Sequence, residues 1–147
     1  MRNMNLAGAR RVAGVTLIEL LVVLVILGML AGLIGPSVIR QLSGAKSNTA
    51  KLQIQELATK LDLYKLEVGR FPNTQEGLQA LIQAPPGVNG WNGPYIKPAQ
   101  AKDPWGNDYR FVSPGQHNTN EFDLSSLGAD NREGGDGENK DVNNWDK

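Results

Sequence analysis

The sequence lacks cysteine, and its 147 residues include a single histidine, His117. Without cysteine the chain has no disulfide, thiol nucleophile, iron–sulfur cluster or cysteine-ligated zinc. One histidine excludes a two-histidine metal site within one chain. Fifteen basic residues balance fifteen acidic ones, so the excess of positive charge on which non-specific nucleic-acid binding depends is also missing. We therefore expect no nucleic-acid partner.

Apolar residues are concentrated near the amino end. From Val15 to Ile34 the chain has twenty residues with one charge, Glu19. Such a helix is about 30 Å long, roughly the thickness of the hydrocarbon core of a bilayer. Three arginines and no acid precede it, so the positive-inside rule predicts a cytoplasmic segment 1–14 and an exported remainder. This pattern is typical of a bacterial inner-membrane protein with a periplasmic domain.

Three other interpretations of this segment are open. A cleaved secretory signal usually has a shorter hydrophobic region, and residues 35–37 do not form a clean small-x-small cleavage site. A permanent single-pass anchor fits the length. The segment could also be a buried core helix, but a domain of the roughly 110 remaining residues rarely needs a helix that is so uniformly apolar. Glu19 costs free energy in lipid, and either it reaches the headgroups or its carboxylate pairs with a cation from another subunit.

The helix should continue past Pro36 as an amphipathic helix. Apolar residues step by three and four in one stripe, formed by Ile54, Leu57, Leu61, Tyr64 and Val68. We expect this core stripe to be widened by Leu52, Ala58, Leu63 and Leu66. Gly69 is a suitable C-terminal stop. The pattern predicts one helix from about Thr16 to Val68.

The rest of the chain predicts a small domain with little regular structure. Asn73 or Thr74 should cap a short helix that buries Leu78, Leu81 and Ile82. The segment 91–95 reads as a turn packed by aromatic rings. Segment 103–112 reads as a turn that leads into a strand, and 122–125 is a second strand candidate. Residues 113–120 should connect the two strands as a hairpin. The predicted fold is α+β, with the long helix packed on a small antiparallel sheet.

The C-terminal segment is acidic and rich in glycine. Residues 120–147 contain eight acidic side chains and four glycines. A solvated acidic tail is the simplest interpretation. Carboxylates, amides and carbonyls are also the oxygen ligands that Ca²⁺ takes, and a tryptophan near the end of a chain usually packs somewhere. The spacing does not match an EF-hand, and residues 134–139 resemble one β-roll repeat only faintly.

The run Gly14-Val15-Thr16-Leu17-Ile18-Glu19, followed by an apolar helix, resembles the N-terminal signal of type IV pilins and pseudopilins. The resemblance implies that a prepilin peptidase cuts between Gly14 and Val15 and methylates the new N-terminus on Val15. It also implies that Glu19 meets the terminal amine of a neighbouring subunit. The residue after the cut is commonly Phe in that family, but glycine before the cut is the stricter requirement.

Further stretches are similar to the major pseudopilins of the type II secretion system. They are Phe71-Pro72, Trp91 with Gly93-Pro94-Tyr95, Asp103-Pro104-Trp105-Gly106-Asn107, and Ser126-Leu127-Gly128-Ala129-Asp130. With the N-terminal signal they cover nearly the whole chain in the right order. Asp108 stands where a proline often follows in that family, which should alter one turn. The boundaries implied are a cleaved leader 1–14, a transmembrane and fibre-core helix 15–36 and a periplasmic domain 37–147, which includes the amphipathic helix 37–68.

The resemblance implies a structural protein and not an enzyme. Copies would polymerise into a periplasmic pseudopilus that moves folded exoproteins towards the outer-membrane secretin, as a piston or a screw. The implied partners are further copies, minor pseudopilins, the prepilin peptidase, and the inner-membrane assembly platform with its ATPase. It also implies one Ca²⁺ in the metal loop 124–147. The ligands would be the side chains of Asp130 and Asp141 and the carbonyls of Leu127 and Val142, with Asp136 a further candidate.

Three rival functions remain to be weighed. A type IV pilin of a surface pilus shares the N-terminal signal, but the cysteine-free C-terminal half and the segment 103–107 oppose it. A membrane-anchored periplasmic hydrolase would need His117 as its base, and no Gly-x-Ser-x-Gly motif is present. A minor pseudopilin usually carries different insertions.

Overall fold

The structure, a computed structural model, describes residues 14–146, and for 35–37 and 39–43 it describes the backbone only. The chain divides into two compact units, and the boundary between them lies between Val38 and Ile39. Within residues 14–146 the regular structure consists of one long helix and three short strands: α1 (Leu17–Val68), β1 (Arg110–Val112), β2 (Asp123–Ser126) and β3 (Val142–Asn143). The same residues include three 3₁₀ helices, Gly77–Leu81, Pro98–Ala101 and Gly137–Asn139.

Helix α1 confirms the predicted span from Thr16 to Val68. It begins one residue later than predicted and ends at Val68. Gly69 follows with a φ of 90°, and its N–H donates to the carbonyl of Lys65 at 2.8 Å. Glycine adopts this left-handed conformation without the penalty of a Cβ atom, so it stops the helix where the sequence predicts.

The core of the second unit forms on one face of α1. The predicted stripe is confirmed, because Ile54, Leu57, Leu61 and Tyr64 are all buried and Val68 is half-buried. The stripe packs on apolar residues from the later segments, among them Leu78, Leu81, Ile96, Phe111, Phe122 and Leu124. Burying each such side chain contributes about 1.5–3 kcal/mol, so this face fixes the domain to α1.

The predicted widening of this stripe is wrong for three of its four residues. Leu52, Leu63 and Leu66 are 66%, 39% and 81% exposed, while Ala58 packs at the edge of the core. Each of the three lies nine residues from a buried residue of the stripe, Leu61, Ile54 and Leu57 respectively. Nine residues are about two and a half helical turns, so these leucines lie on the opposite face of α1.

The predicted short helix is a 3₁₀ helix, Gly77–Leu81, with Leu78 and Leu81 buried and Ile82 half-buried. Its N-cap is Glu76, without a side-chain cap. Asn73 instead closes the preceding turn. Its Oδ1 accepts the N–H of Glu76 at 2.8 Å, and the Glu76 carboxylate accepts the N–H of Asn73 at 2.8 Å. The predicted cap of this helix by Asn73 or Thr74 is therefore wrong, because the Asn73 side chain closes the turn before the helix.

The sheet has three antiparallel strands in the order β1-β2-β3. The predicted hairpin is confirmed, since Phe111 pairs with Leu124 across β1 and β2. The third strand was missed. Val142 pairs with Ser126, and the side chain of Asn144 continues the ladder by accepting the N–H of Leu124 at 2.9 Å. Two residues are too few to give an alternating pattern in the sequence.

Aromatic rings pack the turn at 91–95, as predicted. Trp91 and Tyr95 meet edge to face at 5.7 Å between ring centroids, and Tyr64 meets Tyr95 at 5.8 Å. The indole N–H of Trp91 donates to the carbonyl of Ala80 at 2.8 Å. This cluster joins α1 to the first 3₁₀ helix and the turn.

The two tyrosines of this cluster should respond differently to loss of the hydroxyl. Tyr64 Oη is buried without a hydrogen-bond partner among the described residues, so Tyr64→Phe should leave the free energy of unfolding unchanged or raise it by up to about 1 kcal/mol. The Tyr95 hydroxyl donates to Glu67 and accepts the N–H of Asn92, so Tyr95→Phe should cost about 1–2 kcal/mol. Denaturant titrations of the full chain in detergent test this, and an equal loss in both variants would contradict it.

Candidate functional site: the apolar helix and the C-terminal loop

The N-terminal segment begins with the predicted cleavage site. Gly14 is exposed and precedes α1; the leader residues 1–13 lie outside the described part of the chain. Thr16 caps the helix, since its Oγ1 accepts the N–H of Glu19 at 3.3 Å and its carbonyl accepts the N–H of Leu20 at 3.1 Å. Glu19 is thus held in the first turn, where the helix dipole favours a negative charge.

The apolar part of α1 is exposed on all sides. Leu17–Ile34 has a mean hydropathy of 2.9, and none of it is buried within the first unit. Eighteen residues span about 27 Å as a helix, close to the hydrocarbon thickness of a bilayer. Gly28 and Gly32 have no atom within 4 Å of a Cβ built on them, so each leaves an open, flat position on the helix. This segment can therefore cross a membrane or pack against other helices.

The C-terminal loop holds the five residues predicted as calcium ligands. Asp130 is exposed, and its Oδ1 accepts the N–H of Arg132 at 3.2 Å. Asp136 is exposed and precedes the last 3₁₀ helix. Asp141 Oδ2 accepts the N–H of Gly134 at 2.9 Å, whereas its Oδ1 is buried without a partner among the described residues. Buried polar atoms in proteins usually have a hydrogen-bond partner, so Asp141 Oδ1 lacks the interaction that normally offsets its loss of hydration.

The structure brings part of this ligand set together. Leu127 and Asp141 line one cavity of about 320 Å³, which Arg110 and Glu133 also line as an ion pair. No group of three or more His, Cys, Asp or Glu side chains within residues 14–146 is arranged to hold a metal ion. A calcium site here would consequently depend on main-chain carbonyls as well as on Asp141.

The segment 103–107 supports the start of this loop. Asp103 is buried; its Oδ1 accepts the N–H groups of Trp105 and Asn107 at 3.0 and 2.8 Å, and its Oδ2 accepts the Ser126 hydroxyl at 2.6 Å. Asn107 Nδ2 donates to the carbonyl of Gly128 at 2.9 Å. Gly128 has a φ of 68°, and a Cβ there would lie 2.6 Å from the carbonyl oxygen of Glu138. The turn and the loop therefore form one hydrogen-bonded unit.

A second buried carboxylate, Asp123, was missed as a site by sequence analysis. Its Oδ2 accepts the N–H groups of Gln116 and His117 at 2.7 and 2.8 Å and lies 3.0 Å from His117 Nδ1. Its Oδ1 accepts the N–H of Asn118 at 2.9 Å. Burial opposes ionisation, but the donors from His117, Asn118 and Gln116 outweigh it and hold the pKa of Asp123 below its usual range. The sequence signal was a run of polar residues, which any loop carries.

The same loop packs the end of the chain. The His117 ring stacks on Trp145 at 4.1 Å between centroids and 5° between planes. Gly115 leaves room for the Asp123 carboxylate, because a Cβ there would lie 2.5 Å from Asp123 Oδ1. His117 therefore has a packing role, and the expectation that Trp145 packs on the domain is confirmed.

Comparison with known proteins covers both parts of the chain. The family model described as type II secretion system, protein G, matches residues 37–145. The model described as the prokaryotic N-terminal methylation motif matches residues 9–35.

Two curated relatives are named type II secretion system core protein G. The one from Pseudomonas aeruginosa is 45% identical over 141 residues, which cover 93% of this chain and 97% of the relative. The one from Vibrio cholerae is 42% identical over 139 residues, covering 92% and 93%. A crystal structure of the major pseudopilin from the type 2 secretion system of enterohaemorrhagic Escherichia coli is similar, with a TM-score of 0.58 and 31% identity over 69% of this chain and 88% of that one.

Proposed function

This chain belongs to the protein G family of the type II secretion system, and we propose that its copies polymerise through α1 into a periplasmic fibre. The observation that carries the proposal is the apolar segment Leu17–Ile34, exposed on every side and carrying Glu19 as its only charge. In a bilayer the apolar side chains already contact lipid tails, so the hydrophobic effect does not drive one helix against another. Association between copies therefore depends on close packing of their helices. The small faces at Gly28 and Gly32 permit close helix–helix approach.

Glu19 sets the register of subunits in this proposal. Removal of the leader 1–14 would create a free amine on Val15. The Glu19 carboxylate of one copy would pair with this amine of a neighbouring copy. Opposite charges attract strongly in a medium of low dielectric constant, and an unpartnered carboxylate there is costly. Only one axial stagger of two helices lets the amine meet the carboxylate, so the pair selects one arrangement.

Replacing Glu19 by alanine should reduce fibre yield and secretion at least tenfold. Insertion and processing should be unchanged, so the membrane-purified variant should have the intact mass of a chain that begins at N-methylated Val15. Sheared fibres and secreted protein are measured by immunoblot. Glu121→Ala, at an exposed residue of the domain, is the control and should behave as wild type. Normal fibres and secretion from Glu19→Ala would refute the role of Glu19.

The fibre would lie in the periplasm, with unassembled copies in the inner membrane and the domain outside the cytoplasm. Its partners would be minor pseudopilins, the prepilin peptidase, the assembly platform with its ATPase, and the secretin with its exoproteins. The named relatives are components of a secretion system, which supports a structural role and not a catalytic one. The match to the protein G family over residues 37–145 favours this function over a surface pilin.

The proposal includes one structural Ca²⁺ in the C-terminal loop. Asp141 supports it most directly, because its buried Oδ1 lacks a partner among the described residues and a hard cation would satisfy that oxygen. Asp130 and the carbonyls of Leu127 and Val142 are the other proposed ligands, with Asp136 as a further candidate. The ion would offset the negative charges of the Asp130 and Asp141 carboxylates and hold the rest of the C-terminal loop against β3.

A further inference from the structure

We propose that Ser126 is a positioning residue of the calcium site, and that its hydroxyl group fixes the direction of the Leu127 carbonyl. This inference rests on the proposed calcium site and adds a residue that is not itself a ligand. Ser126 is the last residue of β2 and is fully buried. Leu127 follows it in the chain, and Val142 pairs with it across the sheet. Ser126 therefore lies beside two of the residues whose carbonyls we propose as calcium ligands.

The Ser126 hydroxyl group is held in one orientation by a buried carboxylate. It donates its hydrogen atom to Asp103 Oδ2 at 2.6 Å. The other oxygen of this carboxylate accepts the N–H groups of Trp105 and Asn107 at 3.0 and 2.8 Å, and these bonds restrain the carboxylate against rotation. A hydroxyl has one hydrogen and two lone pairs. Because the hydrogen points at Asp103, the lone pairs of Ser126 Oγ are left to accept another donor.

That donor is the peptide group that contains the Leu127 carbonyl. The N–H of Gly128 donates to Ser126 Oγ at 3.2 Å. This N–H and the carbonyl of Leu127 belong to one planar peptide group, so a bond that holds the N–H also sets the direction of the carbonyl. The carbonyl of Gly128 itself accepts Asn107 Nδ2 at 2.9 Å. Side chains therefore hold both peptide groups that flank the Cα atom of Gly128.

A fixed carbonyl is what a calcium site in this loop requires. Ca²⁺ takes roughly six to eight oxygen ligands, and within residues 14–146 no group of three or more acidic or histidine side chains is arranged to hold a metal ion. Main-chain carbonyls would then supply part of the ligand set, and Leu127 lines the same cavity as Asp141. A carbonyl that is already oriented loses little conformational freedom when the ion binds, so the Ser126 hydroxyl should strengthen calcium binding.

Ser126→Ala should raise the dissociation constant for calcium by roughly 10- to 100-fold, the usual effect of removing a group that orients a metal ligand. Isothermal titration calorimetry of the full chain in detergent measures this constant, and circular dichroism checks that the variant is folded at the temperature used. Thr74→Ala is the matched control, because its hydroxyl also both donates and accepts, in its case to and from the main chain of Ser113. Thr74 lies outside the C-terminal loop, so this variant should bind calcium as wild type does.

The Leu127 carbonyl itself reports whether Ser126 acts by positioning. In NMR spectra of the full chain in detergent micelles, the carbonyl carbon resonance of Leu127 should shift when calcium is added to wild type and to Thr74→Ala. It should shift less in Ser126→Ala when the site is equally occupied. A merely structural role of Ser126 would lower the melting temperature of the calcium-free chain and would leave this response unchanged.

A second substitution keeps the test decisive if Ser126→Ala folds poorly. Ser126→Cys roughly keeps the side-chain volume, but a thiol is only a weak donor and acceptor, so calcium binding should again weaken. A dissociation constant equal to that of wild type in either folded variant overturns the inference, as does a Leu127 carbonyl resonance that does not respond to calcium in wild type. Asp141→Asn separates the two proposals. Binding lost there but kept in Ser126→Ala refutes the role of Ser126 alone, whereas wild type that binds no calcium refutes the calcium site and the role of Ser126 with it.

Discussion

Calcium should raise the melting temperature of the full chain in detergent by roughly 10 °C, and Asp141→Asn should remove this response. At one hundred times its dissociation constant a ligand stabilises the folded state by about 2.7 kcal/mol, which corresponds to a shift of that size for a domain of about 100 residues. The physical reason is Asp141 Oδ1, which is buried without a partner among the described residues. Tryptophan fluorescence reports the transition, because Trp91, Trp105 and Trp145 all lie in the second unit.

The control is a neighbouring acid outside the proposed ligand set. Asp146 is exposed, and its carboxylate accepts from Asn143 Nδ2 at 3.1 Å. Asp146→Asn should keep the full response to calcium, and magnesium at the same concentration should shift wild type less because it demands a tighter octahedral site. If chelation leaves melting and protease resistance of wild type unchanged, or if Asp141→Asn responds as wild type does, the calcium site is refuted.

Asp123→Asn should lower the free energy of unfolding by about 2–4 kcal/mol. The carboxylate offers two oxygens to the N–H groups of Gln116, His117 and Asn118, whereas an amide offers one. The new NH₂ group would face N–H donors in a buried site. Denaturant titration followed by tryptophan fluorescence measures the loss. Asp108→Asn removes an exposed pair with Lys102 and should cost less than about 1 kcal/mol.

The Asp123 contribution should also depend on pH. The folded pKa of Asp123 lies below its usual range, and the unfolded value is about 3.9. Its stabilisation is therefore complete above the unfolded pKa and is lost as pH falls through the folded pKa. The difference in stability between wild type and Asp123→Asn should shrink steadily below about pH 4. A difference that is independent of pH, or a loss below about 0.5 kcal/mol at neutral pH, would contradict this account.

Asp141 and Asp123 show where prediction from sequence reached its limit. Asp141 was selected by resemblance, and the structure places it with Leu127 on one cavity. Asp123, whose carboxylate accepts several N–H groups, was identified only as a strand residue. The N–H groups that donate to the Asp123 carboxylate belong to residues 116–118. Their direction depends on the fold of the whole segment 113–122. A single sequence contains polar residues in every loop, so it does not show which of them converge.

Helix α1 shows the same division within one element. Its length, its end at Gly69 and its buried stripe follow from local patterns: an unbroken apolar run, steps of three and four, and a glycine stop. Leu52, Leu63 and Leu66 fit the same apolar pattern, yet they lie outside the core. Periodicity identifies the apolar residues of a helix, but only the packed domain shows which face it covers.

The sequence by itself determined the apolar helix, the amphipathic continuation with its stop, the aromatic turn and the β1–β2 hairpin, because each is encoded by residues close together along the chain. The tertiary structure alone decided the pairing of β3 with β2, the enclosure of Asp123, the stacking of His117 on Trp145 and the exposure of Leu52, Leu63 and Leu66. Those features depend on contacts between residues brought together by folding, and such contacts leave no local pattern to be read.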